Sequence, residues 1–167
     1  MQLTQKETAY LKDAASQEQL CVNLYQRYSQ QASDPQLAQL LQGIAQQEQQ
    51  HLQSIKQLQQ GQIPNTSQSQ GGGQQYSGQQ QSGGMTGQSA TNGQQMGGQT
   101  TGQSADRQAC EELLSMEKAV SDLYDHAVFE FTNHQARAVL DHIQAEEHHH
   151  GFQLFQYMQQ QGWYQAQ

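Results

Sequence analysis

Six ionisable residues recur in two matching groups of two glutamates and one histidine: Glu18, Glu48, His51, Glu117, Glu147 and His150. In each group a Glu-x-x-His motif follows the other glutamate by 30 residues. Residues three positions apart lie on one face of a helix. One glutamate from each of two helices, with a Glu-x-x-His motif from each of two others, is the ligand set of carboxylate-bridged di-iron and di-manganese bundles. The six residues therefore predict a site for two divalent metal ions.

The alternative interpretation is that these charged residues are merely tolerated in a protein core. A lone Glu-x-x-His on a polar helix usually has no function, but here the motif occurs twice at matching positions. Four carboxylates in a core would repel one another and lose their hydration, and two divalent cations would offset both costs. These ligand types accept iron and manganese alike, so the sequence leaves the metal open.

An internal repeat, with an offset of 99 positions and no gap, relates the two groups. Beyond the site residues, it superimposes Leu24-Tyr25 on Leu123-Tyr124 and Ile44 on Ile143. The repeated units cover about 4–60 and 104–161. Each unit contains two helices with a very short joint, which makes an antiparallel hairpin. The two hairpins predict an all-α four-helix bundle, with a ferritin-like long crossover between them.

End signals place the four predicted helices at about 4–32, 35–60, 104–132 and 134–161. Residues typical of helix N-termini begin three of them: Thr4 with Glu7, Asp34 with Pro35, and Asn133. Glycines stand where helix C-termini favour a left-handed residue, at Gly61 and Gly162. Each helix also carries an apolar stripe at spacings of three and four residues, which the site residues interrupt near its middle.

Other candidate residues are weaker. Tyr25 and Tyr124 lie on the stripes, either as core residues with a satisfied hydroxyl or as phenols that hydrogen-bond to a metal ligand or take part in redox chemistry. Three residues beside the second motif are interpreted as surface residues, with surface metal capture as the alternative: Glu146, His148 and His149. Two cysteines do not make a disulfide framework, so Cys21 and Cys110 are expected to be buried thiols.

The middle of the chain differs in composition from both ends. Residues 61–103 are almost all Gln, Gly, Ser, Thr or Asn and carry no charge, which predicts a disordered linker. We therefore divide the chain into a first hairpin at 1–60, the linker at 61–103, and a second hairpin at 104–167. A linker of this length can run the length of the bundle, so both hairpins can complete one domain.

The net charge and the hydropathy limit the binding partners and the cellular location that the sequence predicts. The net charge of −8 argues against nucleic-acid binding, and no basic run suggests a membrane surface. The first eleven residues, MQLTQKETAYL, lack the apolar core of a signal peptide, and no segment approaches the ~20 apolar residues of a membrane span. We expect synthesis in the cytosol, no membrane partner, and a protein that can form homo-oligomers.

The second unit resembles the spore coat protein F family. The residues that carry the resemblance are Glu147-x-x-His150, the stretch LFQYM at 154–158, and the closing Gly162-Trp163-Tyr164. The first unit is similar through its Glu-x-x-His motif and upstream glutamate, but lacks the Gly-Trp-Tyr ending. The resemblance implies a ferritin-like fold, a location in the spore coat, other coat proteins as partners, and metal ligands at the six residues.

Two functions remain open. One is a coat-associated metal-binding protein with a dinuclear iron or manganese centre and peroxide- or oxygen-reducing activity. The other is a structural coat component in which the metals or the bundle serve only assembly. An iron-storing ferritin is disfavoured, because a long linker is awkward in a closed shell and the sequence shows no acidic entry channel. Fold alone does not decide between these functions.

Overall fold

A computed structural model describes residues 1–65 and 96–164, with the backbone alone for 96–100. Most of the predicted disordered linker lies outside these residues. The described chain contains four helices and no strand: α1 (Gln5–Gln31), α2 (Pro35–Gln59), α3 (Met96–Glu130) and α4 (His134–Gln160). The helices α1 and α2 form one hairpin, α3 and α4 form the other, and the two pack together. The predicted all-α four-helix bundle is confirmed.

The predicted helix ends agree with the structure at five places. The side chains of Thr4 and Glu7 form a reciprocal capping box, and Asp34 and Asn133 accept hydrogen bonds at the starts of α2 and α4. Gly61 and Gly162 have φ angles of 76° and 70°, in the left-handed region that glycine adopts without strain. At both ends, crossed backbone hydrogen bonds close a Schellman motif.

One helix start differs from the prediction. Helix α3 begins at Met96, eight residues before the predicted start near 104. No proline lies in this stretch to stop a helix. The extra turns pass close to the joint between α1 and α2, since a Cβ atom at Gly102 would lie 2.9 Å from Ser33 Oγ. Glycine at this position therefore lets α3 continue past the joint.

Apolar residues from all four stripes fill the core. In α2 the residues predicted to face inward are 1% exposed or less: Leu37, Leu41, Ile44, Ile55 and Leu58. The other helices add matching layers on both sides of the site residues. Cys21 and Cys110 are buried and unpaired, as expected. Within the described ranges, none of the helices has the length and apolar character that a bilayer-spanning segment requires.

Two buried carboxylates fasten the hairpins to each other. Glu7 in α1 accepts hydrogen bonds from the backbone N–H and hydroxyl of Thr132, at 2.7 and 3.0 Å, in the joint of the second hairpin. Its counterpart in the repeat, Asp106 in α3, accepts from the N–H and hydroxyl of Ser33, at 2.9 and 2.6 Å, in the joint of the first. A carboxylate in the first helix of each hairpin thus reaches the joint of the other hairpin.

Glu7→Gln should lower the free energy of unfolding by about 2 kcal/mol near neutral pH. Burial alone would raise the pKa of Glu7, but hydrogen bonds from Thr132 and Thr4 outweigh it and lower the pKa to about 2 from an ordinary 4.5. A depressed pKa stabilises the fold above pH 4.5, and this contribution is lost as the pH falls toward 2. Urea unfolding of both proteins between pH 7 and pH 2 measures this difference in the free energy of unfolding.

A suitable control is Glu111→Gln, which removes an exposed ion pair with Arg107. Exposed pairs of this kind contribute little, so this variant should follow the wild type at every pH. Equal stability of Glu7→Gln and the control at pH 7 would contradict the role assigned to Glu7.

Candidate metal centre

The structure brings all six predicted site residues together in the middle of the bundle. Each of the four helices contributes from its inward stripe, α1 and α3 with one glutamate each, α2 and α4 with a Glu-x-x-His motif. The exposed fraction of each residue is 3% or less for Glu18, Glu48, His51, Glu117, Glu147 and His150. The i and i+3 spacing of each motif places the glutamate and histidine on one side of a helix, as expected.

The first half of the cluster surrounds the Nδ1 atom of His51. This atom lies 2.9 Å from Glu147 Oε1, 3.6 Å from Glu48 Oε2 and 3.7 Å from Glu18 Oε2. A histidine of the first hairpin is therefore closest to a glutamate of the second. The four residues offer ligand atoms that all lie within 4.8 Å of one another.

The second half mirrors the first around His150. Its Nδ1 atom lies 2.9 Å from Glu48 Oε1, 3.8 Å from Glu147 Oε2 and 3.9 Å from Glu117 Oε2. These four residues form a second group with ligand atoms within 4.8 Å of one another. Glu48 and Glu147 belong to both groups, with one oxygen directed to each histidine. The repeat in the sequence thus becomes a local two-fold arrangement with two shared carboxylates.

The electrostatics of the cluster couple its acids to its histidines. Burial and the carboxylate of Glu147 raise the pKa of Glu18 and Glu117 well above the usual range. Burial would also raise the pKa of Glu48 and Glu147, but contacts with both histidines outweigh it and lower both values. Burial would lower the pKa of both histidines, but contacts with Glu146, Glu147 and Glu48 raise that of His51, and contacts with Glu147 and Glu48 raise that of His150. Negative charge in this core therefore requires positive charge beside it.

Eight buried atoms of the cluster make no hydrogen bond within the part of the chain that the structure describes. They are one oxygen each of Glu18 and Glu117, both oxygens of Glu48 and Glu147, and Nδ1 of His51 and His150. Four of them approach in pairs, His51 Nδ1 with Glu147 Oε1 and His150 Nδ1 with Glu48 Oε1, at 2.9 Å each. The other four oxygens lie 3.6 Å or more from these nitrogens, and a buried polar atom without a hydrogen bond costs about 1–3 kcal/mol. These atoms belong to residue types that bind metals. Their chemistry fits two divalent cations between the hairpins.

Two buried tyrosines hold the outer glutamates. The Tyr25 hydroxyl donates to Glu117 Oε1, and the Tyr124 hydroxyl donates to Glu18 Oε1. Both tyrosines are completely buried, and burial with nearby carboxylates raises the pKa of both well above the usual range. Their hydroxyls are thus protonated donors to site residues. Each leaves the second oxygen of its glutamate free to point at the histidines.

The outer nitrogens of both histidines also have partners. His51 Nε2 lies 2.8 Å from Glu146 Oε2, and His150 Nε2 lies 3.2 Å from Gln47 Oε1. Gln47 and Glu146 occupy matching positions in the repeat. Such contacts fix which ring nitrogen faces inward, and here that nitrogen is Nδ1.

The interpretation of Glu146 as a surface residue was wrong. Its side chain is 20% exposed and lies between His51 and His142, 3.4 Å from His142 Nε2. A polar residue immediately before the glutamate in both motifs was the signal in the sequence. The neighbouring His148 and His149 are exposed, in agreement with the surface interpretation.

Comparison with protein-family models identifies the second hairpin. The model of the Coat F domain matches residues 105–167, which include Glu117, Glu147 and His150. The other three site residues lie in the first hairpin, outside the match. Comparisons with curated proteins and with solved structures gave no match. The family supports a role associated with the spore coat and with other coat proteins. The second hairpin, at residues 105–167, is therefore a Coat F domain.

Proposed function

We propose that this chain is a spore coat-associated metalloprotein whose bundle binds two divalent metal ions, iron or manganese, between its hairpins. The observation that carries the proposal is the set of eight buried ligand atoms without hydrogen bonds, all belonging to the Glu/His cluster. A core of four carboxylates and two imidazoles is costly without compensating charge. Two divalent cations supply four positive charges for four carboxylates.

The two groups of the cluster assign a role to each residue. Glu48 and Glu147 would bridge both ions, because each belongs to both groups. Glu18 with His51 would complete one coordination sphere, and the counterparts Glu117 with His150 would complete the other. The tyrosine hydroxyls, Glu146 and Gln47 would hold these ligands in orientation, as outer partners do in metal sites.

We further propose that the centre reduces peroxide or oxygen. Two adjacent iron or manganese ions can together supply the two electrons that such a reduction requires. The chain's own contribution is a water-poor core and two protonated phenols beside the outer glutamates, Tyr25 and Tyr124. These phenols are the nearest O–H donors to the outer glutamates among the described side chains.

A structural role is the second candidate. The cluster takes three residues from each hairpin, so that metal binding would fasten one hairpin to the other. Metal that binds only the folded state contributes directly to folding free energy. In this function the ions stabilise a coat component and carry out no reaction.

Elemental analysis of protein purified from its native host tests the proposed function. The expected result is about two iron or manganese ions per chain. A ratio clearly below two in protein supplied with both metals would contradict the dinuclear centre. Consumption of hydrogen peroxide and of oxygen by the loaded protein then separates the two roles, since a structural centre would consume neither.

A further inference from the structure

A groove between α3 and α4 leads from the surface to the cluster. Its volume is about 470 Å³, and its lining includes Glu117 and Glu147. Three of their oxygens, Glu117 Oε2 and both of Glu147, are among the buried atoms without a hydrogen bond. Glu117 is 3% exposed, whereas its counterpart Glu18 is fully buried. The groove thus approaches the cluster from the side of Glu117 and Glu147, whose ligand oxygens themselves stay buried.

The repeat explains why the groove exists on this side. Gly151 and Ser121 line the groove, and the matching residues of the first hairpin are Leu52 and Val22. Leu52 and Val22 are 1% and 2% exposed, so the first hairpin carries buried apolar side chains at the matching positions. Replacing a leucine by a glycine and a valine by a serine removes this apolar cover from the second hairpin.

Glycine is not needed at this position for packing or backbone conformation. A Cβ atom at Gly151 would lie 3.7 Å from Glu117 Cβ and from Leu114 Cδ1, which is ordinary contact. The residue lies inside α4, where glycine costs about 1 kcal/mol relative to alanine. The main effect of glycine at position 151 is therefore that it leaves the groove open.

The groove also carries charged residues at positions where the first hairpin has neutral ones. Asp122 and Asp125 line it, where the first hairpin has Asn23 and Gln26. The remaining ionisable groups of the lining are Lys118 and His148, apart from the two buried glutamates. Two exposed aspartates and two buried glutamates, with one lysine among them, make the groove an acidic path. Such a path raises the local concentration of cations and their rate of association.

We propose that this groove is the route by which a divalent metal ion enters the cluster. The proposal rests on the proposed metal-binding function and adds the path, the direction and the residues that control the rate. The ion would meet Asp122 and Asp125 first, pass Gly151 and Ser121, and reach Glu117 and Glu147. The first hairpin keeps the opposite side covered. The sequence alone did not show this route, because its residues are spread over two helices and differ from their repeats.

A steric variant tests the route through the rate of metal binding. Gly151→Leu restores the residue of the first hairpin, and Gly151→Ala is an intermediate change. We expect Gly151→Leu to slow both uptake of Mn²⁺ and its release to a chelator by about tenfold or more, because entry would then require local opening of α3 from α4. The equilibrium ratio of metal to protein should stay unchanged. Loss of the sharp electron paramagnetic resonance signal of aqueous Mn²⁺ measures uptake.

The matched control is Gly43→Leu. Gly43 is an exposed glycine inside α2, and a Cβ atom there would meet nothing within 4 Å. This variant makes the same change in a helix and should keep the wild-type rates. A Gly151→Leu variant with two bound ions and wild-type rates would overturn the entry route while leaving the metal centre intact.

A charge variant tests the same route without changing its width. Asp122→Asn with Asp125→Gln introduces the residues that the first hairpin has at these two positions. Uptake at low ionic strength should slow by about three- to tenfold, and the difference should vanish near 1 M salt, where charges are screened within about 3 Å. The control is Asp13→Asn with Asp141→Asn, which removes the same charge from exposed positions outside the groove.

The possible outcomes distinguish a wrong entry route from a wrong metal centre. Equal slowing in the charge variant and its control would overturn the route, since net charge alone would then explain the effect. Should circular dichroism show that Gly151→Leu does not fold, Gly151→Ala and the charge variant decide. A wild-type protein that takes up no Mn²⁺ and no Fe²⁺ would overturn the metal centre and the route together.

Discussion

Glu48→Ala combined with His51→Ala should abolish the binding of both metal ions, although the second hairpin remains unchanged. Glu48 contributes an oxygen to each of the two groups of candidate ligands, so its removal would take a ligand from both proposed ions. His51 is the single imidazole of its own group. What remains is three carboxylates and one imidazole, too few to hold and neutralise two divalent ions. Elemental analysis after dialysis measures the metal-to-protein ratio.

The repeat supplies a second variant of the same kind. Glu147→Ala with His150→Ala removes the counterparts in the second hairpin, and the two-fold arrangement requires the same loss. His148→Ala with His149→Ala is the control, because it deletes two exposed side chains from the same turn of α4. That control should keep about two ions per chain, because the imidazoles it removes lie outside the buried cluster.

Two independent sites, one in each hairpin, would give a different result. Each double variant would then lose the ion of its own hairpin and keep the other, so both would retain about half of the metal. Retention of one ion per chain in both variants would refute the shared centre. The distances favour the shared centre, because each histidine lies 2.9 Å from a glutamate of the other hairpin.

The sequence predicted the six site residues because two independent patterns agree on them. The apolar spacing places each on an inward stripe, and the repeat gives each a counterpart. Backbone signals were equally direct at Gly61 and Gly162, where a left-handed φ angle follows from the end of a helix and the absence of a Cβ atom. Periodicity and local chemistry therefore sufficed for the bundle and for the membership of the cluster.

Contacts between hairpins could not be predicted in this way. The capping box of Glu7 was visible, but its hydrogen bonds to Thr132 depend on how the hairpins cross. Glu146 lies off the apolar stripe, and only the packing of α4 against α2 brings it to His51. The early start of α3 escaped prediction because glycine-rich sequence favours no helix by itself. Each of these features depends on the tertiary structure.

The groove could not be predicted from the internal repeat, because the repeat relates only the positions at which the two hairpins agree. The differences between the hairpins carried the information about access, since Gly151 replaces Leu52 and aspartates replace Asn23 and Gln26. Their meaning required the position of Glu117 and Glu147 at the floor of the groove. Once the ligands are located, the positions at which the two repeats differ indicate the proposed path.

Removing metal from the loaded protein should lower its melting temperature by roughly 10–20 °C. An ion that binds only the folded state adds RT ln(1 + [L]/Kd), about 4 kcal/mol when free metal exceeds Kd a thousandfold. A domain of this size shifts its melting temperature by a few degrees for each kcal/mol. The physical source is the buried charge, because ionised carboxylates in the core between the two hairpins need positive charge beside them. Circular dichroism melts with and without a chelator measure the shift.

The double variant Glu48→Ala with His51→Ala is also the control for this experiment. It lacks a bridging carboxylate, so its melting temperature should be the same with metal and with chelator. A wild type that melts at one temperature in both conditions would contradict a metal contribution to folding. Such a result, together with two bound ions, would mean that the unfolded chain binds the metal as well as the folded chain does.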